Sequence, residues 1–224
     1  MKRSEINRLI DDALIFFQEM NFKLPPWGYW SPLQWRENED DLEEIIENQL
    51  GWDLTDFGSG NFRETGLLLF TIRNGNLLRD KKPYAEKIMI VEEEQVTPMH
   101  FHWSKMEDII NRGGGNLMIQ LYPSDENENL ADFPFEVSLD GIRRRCHPGE
   151  LVRLRPGESI TLYQGLYHKF FGETGQGKVL VGEVSAVNDD HIDNRFHSEV
   201  GRFPDIEEDV APTHLLVGDY ARYN

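Results

Sequence analysis

Hydrophobic positions follow a helical spacing at the start of the chain. In residues 6–17, apolar side chains recur every three or four residues, as they do along one face of an amphipathic helix. Ser4 is a residue type that caps helix starts, so we predict that it caps this one. A second helix is predicted for about residues 41–50. We interpret both helices as packing elements that cover one side of a core formed later in the chain.

The spacing changes after residue 54, where short β-rich segments separated by turn residues replace the helical pattern. The predicted strands occupy residues 66–73, 87–93, 116–122, 135–141, 151–157, 159–165 and 178–187. Many short strands at such spacing are typical of an antiparallel sandwich or barrel. We therefore predict an all-β domain over residues 55–224, with residues 1–54 packed on it as a helical extension of one structural unit.

The net charge of the chain limits the classes of partner that it can bind. Its 224 residues include 23 basic and 40 acidic side chains, which give a formal net charge of -17. A surface this negative repels nucleic-acid phosphates and anionic membranes, so we expect neither as a partner. A cation or a neutral small molecule remains compatible with this charge.

Cysteine usage and hydropathy favour a cytoplasmic protein. Cys146 is the only cysteine, which rules out an internal disulfide and fits a reducing compartment. Asp11 and Asp12 interrupt the apolar stretch that a secretory signal would need. The sequence also lacks the roughly 20 consecutive apolar residues of a membrane-spanning helix. We therefore expect the protein in the cytoplasm.

Candidate metal chemistry is concentrated in residues 98–108, PMHFHWSKMED. Side chains alternate along a strand, so His100 and His102 point to the same face of an extended segment and can converge on one cation. Glu107 follows where a bend would bring its carboxylate round. An isolated H-x-H pair is also common as surface decoration or as satisfied core polarity, so the pair alone leaves both interpretations open.

A third histidine stands in a matching context. Residues 155–173, RPGESITLYQGLYHKFFGE, contain two glycine turns, an alternating strand and His168. Together with the first cluster, this segment resembles the paired motifs of the cupin superfamily. The positions that match the two cupin motifs are His100, His102, Glu107, Gly114, Gly157, Gly165 and His168.

The match to the cupin motifs has three departures, because Glu94, Tyr163 and Gly172 stand where Gly, Pro and Asn are usual. All the ligand-type residues are nevertheless present. The resemblance therefore implies a cupin-type jelly-roll β-barrel. It also implies a metal held by four side chains, which are those of His100, His102, Glu107 and His168.

A closer resemblance covers most of the chain, from about Thr55 to its end. The segments TDFGSGNF, LFTIRNGN, TPMHFHWSKMEDIINRGGGNL, YHKFFGE, VSAVNDDHIDNRF and GRFPDIEED are together similar to bacterial D-lyxose isomerases. This resemblance implies a metal-dependent aldose–ketose isomerase that interconverts D-lyxose and D-xylulose, with D-mannose and D-fructose as a slower pair. Cupin sheets often pair across subunits, so by analogy we expect a homodimer.

The metal itself is not determined by the ligand types. Three neutral imidazoles and one carboxylate suit Mn²⁺, Fe²⁺, Co²⁺, Ni²⁺ or Zn²⁺ and leave two octahedral positions open. The family resemblance implies Mn²⁺. The open positions suit O1 and O2 of an open-chain aldose, where a Lewis acid polarises the carbonyl and stabilises enediolate charge. Such an ion would promote proton transfer between C2 and C1.

Candidate proton-transfer residues flank these ligands. Glu183 lies among valines in a predicted strand, where it is either the base or a buried structural carboxylate paired with Arg or Lys. Lys105, between two ligand positions, is a candidate for substrate contact or proton transfer. Asp190 is a further carboxylate candidate in an acidic loop that also holds Asp193. A solvated turn is the simpler interpretation of that loop.

Two further basic residues are candidates for binding sugar hydroxyls. Lys87 heads a predicted strand, and a surface lysine at a strand end is the alternative interpretation. Arg195 follows the acidic loop and has an alternative role in pairing with the neighbouring aspartates.

Two other functions remain compatible with the sequence. A cupin with this ligand set can activate O₂ when it carries iron, which would make turnover dependent on oxygen. A non-catalytic sugar-binding cupin would bind pentoses without forming product.

Overall fold

The computed structural model describes residues 1–79, 81–187, 192–201 and 204–223. The helices in these ranges are α1 Arg3–Glu19, α2 Pro32–Arg36, α3 Glu43–Glu47 and α4 Tyr220–Tyr223. The first strands are β1 Gly51–Thr55, β2 Leu67–Arg73, β3 Tyr84–Val91, β4 Thr97–Phe101, β5 Glu107–Gly114, β6 Leu117–Pro123 and β7 Phe135–Leu139. The remaining strands are β8 Ile142–Cys146, β9 Leu151–Leu154, β10 Ser159–Leu162, β11 Leu166–Gly172, β12 Val179–Ala186 and β13 Arg195–Phe196.

The strands form two antiparallel sheets that enclose the main core. The larger sheet has the order β1-β2-β3-β12-β5-β10-β7-β8, and the smaller has the order β13-β4-β11-β6-β9. Burial alternates along β6, β9 and β10, because one face of each of these strands points between the sheets. In β6, for example, Leu117, Ile119 and Leu121 are fully buried. The all-β, cupin-type architecture predicted from the sequence is confirmed.

Helix α1 covers the outer face of the larger sheet. Its apolar side chains, including Ile6, Ile10 and Phe17, form a second core with strand residues such as Trp52 and Phe70. The rings of Phe17 and Trp52 stack with their centroids 5.9 Å apart. This contact explains the apolar stripe in the helix, and it leaves the inner face of the same sheet for the main core.

Several local predictions differ from the structure. The prediction that Ser4 caps α1 was wrong: Lys2 is the N-cap without a side-chain hydrogen bond, and the Ser4 hydroxyl donates to Asp209 at 2.7 Å. The second predicted helix is shorter, since α3 spans Glu43–Glu47. Strand β1 was not predicted; it pairs with β2 and crosses the proposed boundary after residue 54. The division of this structural unit into residues 1–54 and residues 55–224 stays a prediction.

No helix in the described ranges is long and apolar enough to span a lipid bilayer.

A buried arginine joins α1 to the end of the chain. Arg3 is 1% exposed and forms two hydrogen bonds of 2.9 Å with Asp219, which is 4% exposed. Its Nε and a terminal nitrogen also bond both carboxylate oxygens of Glu208, at 2.8 and 2.7 Å. Bidentate pairs of this kind fix both partners in orientation as well as in distance.

We expect Arg3→Met to lower the free energy of unfolding by about 3 kcal/mol, because Asp219 would stay buried without its partner. Urea denaturation monitored by circular dichroism measures this loss. Arg8→Met is the matched control, since Arg8 is exposed on the same helix. Equal stability of the two variants would show that the pair contributes nothing.

Candidate metal centre and active site

Neighbouring strands of the smaller sheet supply the histidines of the candidate metal centre. His100 lies on β4 and His102 follows its last residue, whereas His168 lies on β11. The register pairs His100 with His168 directly across the two strands. Glu107 opens β5 in the facing sheet, so the connection at residues 102–106 crosses from one sheet to the other. This crossing is the bend that turns the carboxylate toward the imidazoles.

The four side chains converge in the protein interior. The ligand nitrogens of the three histidines all lie within 4.8 Å of one another. Oε1 of Glu107 is 3.2 Å from Nε2 of His168 and 3.5 Å from Nε2 of His102. All four residues are buried. The structure therefore brings together the residues that the cupin resemblance implied as ligands.

Backbone carbonyls determine which imidazole nitrogens face the centre. In each of the three histidines, Nδ1 lies within hydrogen-bond distance of a carbonyl oxygen. The pairs are His100 with Pro98 at 2.7 Å, His102 with Asp193 at 2.9 Å, and His168 with Leu166 at 3.0 Å. A carbonyl only accepts, so Nδ1 carries the proton and Nε2 presents a lone pair. Nε2 of His168 is buried, and no described residue donates a hydrogen bond to it.

Electrostatics keep these groups in the forms that bind metals. Burial lowers the pKa of His100 well below its usual value, and the neighbouring imidazoles His168 and His102 add to this shift. Burial alone would raise the pKa of Glu107, but the Lys105 ammonium beside it outweighs burial and holds that pKa well below its usual range. A neutral His100 and an ionised Glu107 are the forms required of metal ligands.

The donor set fits a divalent transition metal. Three Nε2 lone pairs and one carboxylate oxygen are all acceptors, and converging acceptors repel one another unless a cation lies between them. The unpartnered Nε2 of His168 is the most direct sign of this need. No thiolate is near, and imidazole with carboxylate suits a catalytic rather than a structural ion.

A lysine bridges the centre to a second carboxylate. Nζ of Lys105 lies 2.6 Å from Oε2 of Glu107 and 2.9 Å from Oε1 of Glu183. Nζ of Lys87 is 3.4 Å from the same Oε1, and the Ser185 hydroxyl donates to it at 3.0 Å. These three groups all approach Oε1 of Glu183 and fix the orientation of its carboxylate. Both lysines have further contacts.

A cavity of about 530 Å³ opens beside these residues. Its volume is within the usual range for small-molecule sites. Near the cluster it is lined by His100, His102, Lys105, Glu107, His168, Glu183 and Lys87. Apolar side chains such as Phe57, Met89 and Phe196 form other parts of its wall. The cavity therefore gives a neutral, polar small molecule access to the cluster.

Of the remaining predicted site residues, Arg195 does not join this group. Arg195 is absent from the cavity lining, whereas its neighbours Asn194 and Phe196 are part of it. Side chains alternate along the extended chain, so Arg195 points away from the cavity. Its Nε donates to Glu128 at 3.1 Å. Arg195 therefore forms an ion pair, which was the alternative prediction for it. Its partner is a glutamate rather than one of the neighbouring aspartates. Asp190 lies outside the described residues.

Thr97 is a cavity residue that sequence reasoning missed. Strict alternation would group it with Met99 and Phe101, on the face opposite His100. The strand pairing is irregular here, because β11 pairs His168 with His100 but Phe170 with Thr97. The extra residue in β4 returns Thr97 to the cavity side. Sequence periodicity gives no signal of a bulge.

Asp193 is the second missed residue. The acidic run around it suggested a solvated turn, but Asp193 is only 6% exposed. Its carboxylate accepts hydrogen bonds from the backbone N–H groups of Ser104 and Lys105. An aspartate that bonds a distant backbone leaves no pattern in the sequence.

The paired antiparallel sheets and the inward-facing histidine group define a cupin-type protein with a site that can hold a metal ion. The model of the D-lyxose isomerase family matches residues 1–220. The chain belongs to this family, which confirms the resemblance found in its sequence.

Two relatives are similar over the whole chain. The D-lyxose/D-mannose isomerase of Serratia proteamaculans is 48% identical over 228 residues, which cover 100% of this chain and 99% of that protein. The D-lyxose/D-mannose isomerase of Escherichia coli O157:H7 is 49% identical over 226 residues, with 100% of both chains covered.

Solved structures share the fold at much lower identity. The ligand-free L-ribose isomerase of Cellulomonas parahominis has a TM-score of 0.61 and 16% identity, with 92% of this chain and 98% of that chain covered. The L-ribose isomerase of Acinetobacter sp. DL28 in complex with L-ribose has a TM-score of 0.57 and 15% identity, with 89% and 93% covered. At such identities the likeness concerns the fold alone.

Proposed function

We propose that this protein is an aldose–ketose isomerase that interconverts D-lyxose and D-xylulose, and also D-mannose and D-fructose. One observation carries the proposal: Lys105 joins a buried carboxylate, Glu183, to the Glu107 end of the histidine cluster at the wall of an open cavity. Family membership and the names of both close relatives support this activity.

In this proposal His100, His102, Glu107 and His168 hold one divalent cation. When bound, that cation supplies Lewis acidity toward a carbonyl oxygen and the neighbouring hydroxyl oxygen. The ligand types are compatible with Mn²⁺, and the family resemblance favours it over Co²⁺, Fe²⁺, Ni²⁺ or Zn²⁺.

Glu183 acts as the base in this proposal. Its Oε1 is held by Lys105, Lys87 and Ser185, which fixes the carboxylate and directs Oε2 to the substrate. C1 and C2 are adjacent, so one oxygen can take the C2 proton and return it to C1 on the same side, while the hydroxyl proton of O2 passes to O1. The competing hydride shift would move hydrogen with its electron pair directly from C2 to C1, with the same O2-to-O1 proton transfer, and would need no base at carbon.

Isotope transfer distinguishes these two routes. We expect D-lyxose deuterated at C2 to lose deuterium to water during turnover, because a carboxylic acid proton exchanges with solvent. NMR of the D-xylulose formed measures the loss. Full retention of deuterium at C1 through many turnovers would favour the hydride shift and remove Glu183 as the base.

Lys105 is proposed to donate a hydrogen bond to substrate oxygen as negative charge develops there. We expect Lys105→Met to lower kcat by about 10²-fold, the usual cost of removing one such donor. Steady-state kinetics measure the change. Lys169→Met is the matched control, since Lys169 follows His168 on β11 but does not line the cavity. An unchanged kcat in Lys105→Met would contradict this role.

Thr97 is proposed to bind a sugar hydroxyl. Thr97 lines the cavity, and its Oγ1 is buried without a hydrogen-bond partner in the described part of the chain, which is unusual unless a ligand or water completes it. Thr97→Val keeps the shape and removes the oxygen, so we expect KM for D-lyxose to rise about 3- to 10-fold. Thr97→Ser, which restores the hydroxyl, should restore KM. Equal KM values in all three proteins would exclude this contact.

The decisive experiment uses the Mn²⁺-replete protein and a panel of pentoses and hexoses under anaerobic conditions. We expect NMR to show D-xylulose from D-lyxose and D-fructose from D-mannose. Turnover only in the presence of O₂ would instead indicate an iron oxygenase. Pentose binding by calorimetry with no product would indicate a sugar-binding protein.

Cellular context and assembly extend this proposal. We infer a cytoplasmic enzyme from the single buried Cys146, which fits a reducing compartment. We infer a homodimer by analogy with other cupins. Sedimentation velocity of the metal-replete protein tests the dimer, and a monomer at micromolar concentration would contradict it.

A further inference from the structure

Residues 192–197 add an edge to the sheet that carries the histidines. Strand β13 pairs with β4, with Phe196 opposite His100 and Arg195 opposite Phe101. The rings of Phe196 and His100 lie 5.3 Å apart and nearly parallel. This segment therefore packs directly against the metal-binding strand rather than lying free in solvent.

Asp193 makes three hydrogen bonds from this segment to the centre. Oδ1 accepts the backbone N–H of Ser104 at 2.8 Å, and Oδ2 accepts that of Lys105 at 2.9 Å. The main-chain carbonyl of Asp193 accepts Nδ1–H of His102 at 2.9 Å. One buried residue thus contacts both a candidate ligand and the backbone of the candidate proton-transfer lysine.

The connection at residues 103–106 keeps its large apolar side chains partly in solvent, although the Trp103 ring packs edge-on against Phe101. The side chains of Trp103 and Met106 are each 45% exposed. Lys105 is the opposite case, because its side chain is buried and its ammonium must reach two carboxylates. Its direction therefore depends on how the backbone of this short connection is held. The Asp193 carboxylate accepts from two of its N–H groups, whereas Gln164 and Ala186 donate to two of its carbonyls. Asp193 is therefore the side chain that holds the Lys105 N–H itself.

We propose that Asp193 is a positioning residue that fixes the Lys105 backbone so that Nζ bridges Glu107 and Glu183. The inference rests on the proposed isomerase function, in which Lys105 contacts substrate. A carboxylate is suited to the task because both of its oxygens accept, and each meets one backbone donor. An asparagine would turn an amide N–H₂ group toward one of those donors and lose that bond.

A double-mutant cycle tests this assignment in the full-length Mn²⁺-replete protein. The variants are Asp193→Asn, Lys105→Met and the combination of the two. If Asp193 acts through Lys105, we expect Asp193→Asn to lower kcat/KM about 10-fold in the wild type, but less than about 2-fold when Lys105 is already methionine. A purely structural role would give the same fold-loss in both backgrounds, which would overturn the proposal.

Metal binding provides a readout that is independent of turnover. The His102 contact uses the main-chain carbonyl of residue 193, which the substitution retains. We therefore expect Asp193→Asn to bind Mn²⁺ with less than the roughly 10-fold loss that follows removal of a ligand's outer hydrogen-bond partner. Loss of stoichiometric Mn²⁺ binding would show that Asp193 acts through the metal site instead, which would also overturn the assignment.

Asp209→Asn is the matched control for these measurements. Its carboxylate likewise accepts from a backbone N–H, that of Ser4, and from the Ser4 hydroxyl, but far from the cavity lining. We expect no change in kcat/KM. If Asp193→Asn does not fold, Asp193→Ser keeps one acceptor oxygen and completes the same cycle. An inactive wild type would remove both proposals, whereas an active wild type with additive losses would remove only this one.

Discussion

Removing the His168 imidazole is expected to abolish stoichiometric Mn²⁺ binding and to lower kcat/KM by about 10³-fold or more. The reason lies in the geometry of β4 and β11, where His168 faces His100 across the pairing and its Nε2 points to the other ligand atoms. His168→Ala leaves two imidazoles and one carboxylate, which hold Mn²⁺ more weakly than the four side chains do, so the ion is lost during gel filtration. Elemental analysis after gel filtration measures the metal content.

Thermal unfolding provides a second test of metal loss in His168→Ala. An ion that binds only the folded state raises stability by mass action, so EDTA should lower the Tm of the wild type. The same treatment should leave the Tm of His168→Ala almost unchanged, because that variant holds no ion to remove. His147→Ala is the control, since His147 is exposed at a turn. Retention of full metal content by His168→Ala would refute the ligand assignment.

The ligand residues differ in how well the sequence alone predicts their positions in the site. Strand alternation was enough to place His100 and His102 on one side, because they lie two residues apart. Glu107 required a bend whose direction no local pattern gives. His168 lies far along the chain, and only the family motif linked it to the others. The pairing of β4 with β11 is the physical reason for their proximity, and pairing partners are not encoded in local spacing.

The candidate proton-transfer residue shows a different limit of prediction from sequence. The sequence left Glu183 either as a base or as a structural carboxylate paired with a lysine. In the structure it contacts both Lys105 and Lys87, and it also lines the cavity. The two interpretations are therefore compatible, since a base needs partners that hold its orientation. Lys87 lies on the next strand, where the register places it directly opposite Glu183.

Bulges and backbone contacts account for what the sequence did not show. Thr97 reaches the cavity because β4 is irregular. Asp193 is buried where its carboxylate accepts hydrogen bonds from the backbone N–H groups of Ser104 and Lys105. Strand β1 is short and lies directly after helical spacing, so the helix pattern masked it. Each case depends on a tertiary contact that overrides local periodicity.

Glu183→Gln is expected to keep Mn²⁺ binding and lose at least about 10³-fold in kcat, within the range that proton-transfer groups contribute. The amide is nearly isosteric with the carboxylate, and its oxygen can still accept from Lys105 and Ser185, so the cavity should keep its shape. It cannot take a proton from C2. Both the ketose yield and the release of C2 deuterium to water should therefore fall together.

The controls for Glu183→Gln separate chemistry from folding. Glu136→Gln changes an exposed glutamate on β7 and should retain wild-type activity. Manganese content and D-lyxose binding by calorimetry should match the wild type in Glu183→Gln, because the four ligands are unchanged and the amide keeps the shape of the side chain. A variant that binds metal and sugar normally but no longer exchanges the C2 hydrogen would have lost only the base. Near-normal kcat would instead assign proton transfer to another group and leave Glu183 as a structural partner of the two lysines.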